Sequence, residues 1–207
     1  MTTYSSSFGF YGILSEPRVG YIPLTKIFID QKVPFIQLRM KKHPLTEVRA
    51  VALDLVRLTR GTKSKFILND EPVLAKEVGA DGVHLGQTNM PYEQARALLG
   101  PEAIIGLSTH NVDQVIVANQ LQPDYIGMGP VYPTPTKEKP DPVIGTEGLS
   151  KMMAVNTLPY VAIGGIDMSN ISEVKATGAL SICVVRLVND VDDPVSVLEK
   201  IKCYYPW

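Results

Sequence analysis

Residues 105–145 read IGLSTHNVDQVIVANQLQPDYIGMGPVYPTPTKEKPDPVIG, and they contain one full repeat of the unit that organises this chain. An apolar run ending at Ser108 gives way to a helical pattern, NVDQVIVANQL, with Asn111 placed to cap it. A second apolar run, YIGMG (125–129), follows. The stretch then breaks into a proline- and glycine-rich loop, GPVYPTPTK, that presents Thr134, Thr136 and Lys137. Hydroxyls donate hydrogen bonds and lysine supplies a compact positive charge, so this loop suits a small phosphorylated ligand. A solvated surface loop is the plainer alternative, although binding groups concentrate on loops held by a rigid scaffold.

The same alternation extends in both directions. Short apolar runs recur at 10–15, 34–40, 65–69, 82–86, 103–108, 125–129, 160–165 and 181–186. Helical patterns occupy 45–60, 71–79, 90–100, 111–121, 146–155, 169–178 and 193–205, with a less regular interval over 19–31 that contains Pro23. Ser169 reads as a further N-cap, Pro91 as a helix start, and Gly79, Gly100 and Gly178 as helix ends. Strands that are continuously apolar are buried on both faces, as parallel strands are. Eight of them alternating with helices in 207 residues predict an α/β fold, a single (β/α)8 TIM barrel domain over 1–207. An open doubly wound sheet competes, but no GxGxxG follows the first strand.

Composition narrows the function classes. Twenty basic residues against 21 acidic ones, a formal net charge of −1, argue against a general nucleic-acid or membrane-surface binder. No apolar run reaches the roughly 18 residues of a membrane span, and MTTYSSSFGFYG lacks the pattern of an export signal. A cytoplasmic location is expected. Cys183 and Cys203 have no metal-ligand spacing and read as reduced, incidental thiols. The C-terminal CYYPW, with Trp207, packs either on a second copy, giving a homodimer, or back on the barrel.

In a barrel of this kind the site is built where the strands end. Those ends carry Gln37, Arg39 and Lys41 after the second strand, Asn69 and Asp70 after the third, and His84 and Gln87 at the fourth. Ser108 and His110 end the fifth, Gly164 and Gly165 the seventh, and Arg186 the eighth. Polar groups ending so many apolar strands are expected to face one cavity. Plainer roles stay open for each. Arg39 and Lys41 suit rim ion pairs, Asp70 suits an N-cap before Glu71–Pro72, and His84 suits a core histidine. His110 suits a cap on its neighbouring helix, His43 is expected in solvent, and the paired glycines suit close strand–helix packing.

The set QLRMK (37–41), ILND (67–70), ADGVHLGQ (80–87), IGLSTH (105–110), DYIGMGPVYPTPTK (124–137) and VAIGGI (161–166) resembles the thiamine-phosphate synthase family. The thiazole tautomerases form a close branch. The resemblance implies that a hydroxymethylpyrimidine diphosphate is joined to a thiazole phosphate with release of diphosphate, assisted by Mg²⁺. It implies that Arg39, Lys41 and Lys137 clamp the diphosphate while Ser108 and Asn69 hydrogen-bond it. Asp70 would hold Mg²⁺, and Gln37 the pyrimidine. Thr134 and Thr136 would bind the thiazole substrate, with its phosphate on Gly164 and Gly165. His110 stands where the tautomerase branch has its acid/base histidine.

Two positions depart from the synthase pattern. Asn89 replaces an aspartate that would be the second Mg²⁺ carboxylate, and Arg186 stands where a serine is usual. Together they make the site about two charge units more positive. One unit charge at about 4 Å is worth roughly 4 kcal/mol at an effective dielectric near 20, before screening. Arg186 is therefore expected either to bind phosphate or to fill the pocket. The competing readings are a tautomerase using His110 and a non-catalytic protein that binds thiamine precursors.

Overall fold

Each of the eight apolar runs becomes a strand because both of its faces find a core. In the computed structural model, which describes residues 7–135 and 141–207, the strands form a closed parallel barrel in chain order. They are β1 (Gly9–Leu14), β2 (Phe35–Leu38), β3 (Lys65–Asn69), β4 (Gly82–Leu85), β5 (Ile104–Thr109), β6 (Tyr125–Met128), β7 (Tyr160–Ile163) and β8 (Ser181–Cys183). Between them lie α1 (Tyr21–Asp30), α2 (Leu45–Thr59), α3 (Pro72–Val78), α4 (Tyr92–Leu99), α5 (Val112–Leu121), α6 (Gly145–Val155) and α7 (Ile171–Ala176). A short α8 (Arg186–Asn189) and a terminal α9 (Pro194–Lys202) complete the ring. The fold is a (β/α)8 barrel.

Strand periodicity divides the side chains between two cores. Tyr11, Ile13, Phe35, Ile67, Ile104, Tyr125, Val161 and Cys183 fill the barrel, with Phe8 at its N-terminal end. Their neighbours Phe10, Leu14, Ile36, Leu38, Phe66, Val83, Ile126 and Ile182 face outward and pack with the helices. The inner aromatic layer is tight: Tyr11 stacks on Phe35 with ring centroids 5.6 Å apart. Gly106 makes room for it, because a Cβ there would fall 2.1 Å from the Tyr125 ring.

Local signals explain most element ends. Asn111 accepts a hydrogen bond from the Gln114 amide, and Gly79 ends α3 in the left-handed conformation. Pro23 sits in the first turn of α1, where a missing amide proton costs nothing. Asp81 and Asp124, each just before a strand, accept the backbone N–H of Phe66 and Ile105 and so fasten adjacent strands. Trp207 donates its indole N–H to the Gln31 carbonyl and packs on Phe10, so the C-terminus folds back onto the barrel. No described helix is long and apolar enough to cross a membrane.

Two expectations need correction. The eighth apolar run does not stay extended to Arg186; β8 ends at Cys183 and Arg186 opens α8. The reason is Asn189, whose side-chain amide holds the Val185 and Ile13 carbonyls and winds the chain into a turn. Ser169 does not cap α7. Its hydroxyl and N–H both bind the Asp167 carboxylate, and Asn170 takes the cap position.

Candidate active site

A cavity of about 360 Å³ opens at the C-terminal mouth of the barrel. The inward row of each strand, continued past the apolar layers, delivers Gln37, Arg39, Asn69, His84, Ser108 and His110 to its wall. From β6 onward the wall is Thr134, Gly164, Gly165 and Arg186. Ile13, Val161, Ile163, Cys183 and Val185 supply apolar lining between these polar groups. Lys41, Asp70 and Asn89 stand outside the lining, and Thr136 and Lys137 lie outside the described residues.

Arg39 is half-buried. Burial pulls its pKa below the ordinary arginine value, and the nearby Asp70 carboxylate opposes that shift. An arginine remains charged under any working condition, so this is a partly desolvated cation facing a cavity. Asp70 itself has a left-handed backbone, φ 65°, which aspartate tolerates better than most residues. Its N–H bonds the His84 carbonyl and its carboxylate pairs with Lys41 at 2.7 Å. It does not cap α3; Glu71 takes that position without a side-chain bond.

The β7 end is shaped by its glycines. Gly164 and Gly165 have φ of 102° and 66°, and a Cβ on either would fall within 2.6 Å of the chain from Pro130 to Pro133. Only glycine permits this close approach. Arg186, at the start of α8, is not alone: its charge helps hold the Asp167 carboxyl below its usual range, after the hydrogen bonds from Ser169. Asp190 also lines the cavity. The charge of Arg186 is therefore partly offset by the Asp167 carboxylate.

The histidines divide into three roles. His84 is held on both ring nitrogens, by Tyr125 OH and Ser108 Oγ at 3.0 Å each. His110 Nδ1 lies 2.5 Å from the Gly129 carbonyl oxygen and its Nε2 is 3.3 Å from Asp141. His43 is not simply solvated. It bridges Glu47 and Glu16, which raise its pKa above the usual histidine value. Both ring nitrogens donate only in the protonated form. The tie between the β1–α1 loop and α2 is therefore complete below about pH 6.5 and is lost as pH rises through the raised folded value. An NMR titration of the His43 ring is expected to give a midpoint above that of a free histidine; a midpoint at or below it would refute the bridge.

Tyr11 and Tyr125 carry no motif that marks them as functional, yet their hydroxyls meet at 2.7 Å beneath the cavity and both line it. The available signal was parity. Tyr11 precedes Ile13, and Tyr125 precedes Gly127, by one inward step.

Comparison with known proteins accords with this geometry. Residues 21–188 match the family model described as Thiamine monophosphate synthase. A thiamine-phosphate synthase of Caldicellulosiruptor bescii is 39% identical over 199 residues, covering 95% of this chain and 91% of that protein. One from Dictyoglomus thermophilum is 43% identical over 181 residues, covering 87% and 80%. The solved thiamine phosphate pyrophosphorylase of Pyrococcus furiosus superposes with a TM-score of 0.82 at 32% identity, with 95% of each chain covered. With a family match over most of its length and the strand-end residues gathered in one cavity, the chain belongs to the thiamine monophosphate synthase family.

Proposed function

We propose that this protein joins hydroxymethylpyrimidine diphosphate to thiazole phosphate, giving thiamine phosphate and diphosphate. The observation that carries this reading is the two-ended cavity. Arg39, Asn69 and Ser108 line the β2–β5 side, while Thr134, Gly164, Gly165 and Arg186 line the β6–β8 side, with apolar walls between. Two anionic groups separated by flat rings match that division.

The reaction breaks the bond between the exocyclic methylene carbon and the diphosphate oxygen, and diphosphate leaves with the electron pair. The aminopyrimidine ring stabilises the resulting cation until the thiazole nitrogen donates its pair to that carbon. The protein has to neutralise charge growing on the leaving group and keep the nucleophile close. Arg39, Lys41 and Lys137 serve as cations for the diphosphate, and Ser108 and Asn69 as hydrogen-bond partners. Gln37 holds the pyrimidine, Thr134 and Thr136 the thiazole substrate. Gly164 and Gly165 leave backbone space for the second phosphate, with Arg186 beside it.

Mg²⁺ suits the β3 and β4 ends. Asp70 offers a carboxylate, and the Asn89 side-chain oxygen accepts the Gly86 N–H at 2.6 Å while keeping a second lone pair. Among the described residues no three His, Cys, Asp or Glu side chains converge. One protein carboxylate completed by substrate phosphates is an ordinary Mg²⁺ arrangement. When bound, the ion would neutralise diphosphate oxygens. Asn89→Asp keeps the acceptor for Gly86 and adds a charge, so half-saturation with Mg²⁺ is expected about tenfold lower. Titrating initial rate against Mg²⁺ for both proteins tests this; an unchanged midpoint removes position 89 from the metal site.

His110 is assigned to positioning. Its ring meets the Gly129 carbonyl and Asp141 and so ties β5 to the loop that follows β6, while the likeness to thiamine-phosphate synthases favours the synthase over the tautomerase reading. The direct test is turnover of the two substrates with Mg²⁺, reading thiamine phosphate as fluorescent thiochrome. Product that disappears with chelator supports the synthase; folded protein without product overturns it.

A further inference from the structure

A continuous line of hydrogen bonds runs beneath the cavity floor and returns to the cavity at both ends. Gln37 Nε2 donates to Tyr11 OH at 3.0 Å, and Tyr11 OH lies 2.7 Å from Tyr125 OH. Tyr125 OH lies 3.0 Å from His84 Nδ1, and His84 Nε2 lies 3.0 Å from Ser108 Oγ. Each tyrosine is 1% exposed. Phenylalanine would fill the same space among Phe8 and Phe35 without a polar atom to satisfy. Both hydroxyls are nevertheless present, and both are paired.

We propose that this line is a polarised relay in which Tyr11, Tyr125 and His84 are positioning residues that couple the amide of Gln37 to the hydroxyl of Ser108. What occupies its two ends rests on the synthase reading; its polarity rests on the orientation of the Gln37 amide and on proton counting from there.

A phenol carries one proton. Tyr11 accepts from Gln37, so it gives its own proton to Tyr125. Tyr125, having accepted one, gives its proton to His84 Nδ1. A neutral imidazole that accepts at Nδ1 carries its hydrogen on Nε2 and donates it to Ser108 Oγ. The Ser108 proton is thereby turned away from His84 and toward the cavity, where an anionic oxygen is its natural acceptor. Burial holds both phenols well above the ordinary tyrosine pKa, so neither loses the proton on which the count depends.

Turning the Gln37 amide over reverses every bond. Its oxygen would then accept from Tyr11, and Ser108 would donate to His84 instead of into the cavity. The line thus has two arrangements of opposite polarity. A ligand that donates an N–H to the Gln37 oxygen selects the first, and the amino group of an aminopyrimidine is such a donor. Seating the ring would therefore set Ser108 as a donor toward the diphosphate before the carbon–oxygen bond breaks. Within either arrangement every bond keeps its own proton; passing from one to the other rotates the hydroxyls and moves the His84 hydrogen from Nδ1 to Nε2, a tautomer exchange in which water supplies one proton and takes up another.

The test combines a spectroscopic reading with kinetics. In ¹⁵N-labelled protein saturated with 4-amino-2-methylpyrimidine, His84 is expected as the Nε2–H tautomer; the Nδ1–H form would overturn the relay. Tyr125→Phe keeps the ring and cuts the line at its middle. It is expected to give mixed His84 tautomers and a kcat about thirtyfold lower, short of the 10²–10³ lost with a whole oxyanion donor. KM for thiazole phosphate should stay within twofold. An unchanged kcat, or equal damage to kcat and that KM, would overturn the proposal. If Tyr125→Phe does not fold, Tyr11→Phe severs the Gln37 end and is read in the same way. The tautomer measurement needs no turnover, so an Nε2–H signal in a protein that makes no thiamine phosphate would support the relay while overturning the synthase reading.

Discussion

Arg39→Ala is expected to lower kcat/KM about a thousandfold, roughly 4 kcal/mol of transition-state stabilisation, while leaving the fold intact. Arg39 is the strand-end cation that lines the cavity on the β2–β5 side, and it is half-buried, enough to lower its pKa. A charge in that setting acts through a lower dielectric than one on the rim, such as Lys41, which is half exposed and already paired with Asp70. Diphosphate gains charge as it leaves, so the lost interaction is strongest in the transition state and the effect should fall on kcat. Arg39→Lys keeps a point charge without the planar fork and should fall between the two. Steady-state thiochrome assays, with thermal melts to establish folding, measure the effect. A variant within threefold of the parent would remove Arg39 from the diphosphate clamp.

Asn189→Ala is expected to cost about 3 kcal/mol of stability and lower Tm by roughly 6–12 °C. This side chain accepts the Ser15 N–H at 2.9 Å and donates to the carbonyls of Ile13 and Val185 at 2.8 Å each. The residue is 1% exposed, so alanine would leave those backbone groups buried without their partner. The location magnifies the loss. The β8–β1 seam that closes the barrel has two registered residue pairs, Gly9 with Ser181 and Phe10 with Ile182, whereas β1 and β2 share four. Asn189 extends the seam past the point where β8 stops. It also ends α8, whose first residue is Arg186, so weaker binding of thiazole phosphate should accompany the lower Tm. Denaturant and thermal unfolding test the first effect; a change under 1 kcal/mol would mean that Ser15 and Ile13 find other partners.

Much of the site was legible because barrel chemistry sits at predictable places. Gln37, Arg39, Asn69, Ser108, Gly164 and Gly165 each end an apolar run, and each lines the cavity. Residues away from the strand ends were harder to place. Asp70 satisfied two local descriptions equally, metal ligand or helix cap, and its left-handed backbone and pairing with Lys41 exclude the cap. Arg186 read as the end of a strand because the apolar pattern continues to Val185, and only the side chain of Asn189 reveals the turn. Tyr11 and Tyr125 lie inside apolar runs that mark strands, and only the fold shows that their hydroxyls, 114 residues apart in sequence, meet.

The sequence by itself determined the eight-fold alternation, the parallel strands and the family, because burial on both faces and turn chemistry are written locally in residue type and spacing. Tertiary structure alone decided which polar groups meet. Barrel closure brings Tyr11 against Tyr125, Arg186 into the field of Asp167, and Asn189 across the seam to Ile13. Those contacts depend on strand register and shear, which are set by all eight strands packing together rather than by any one of them.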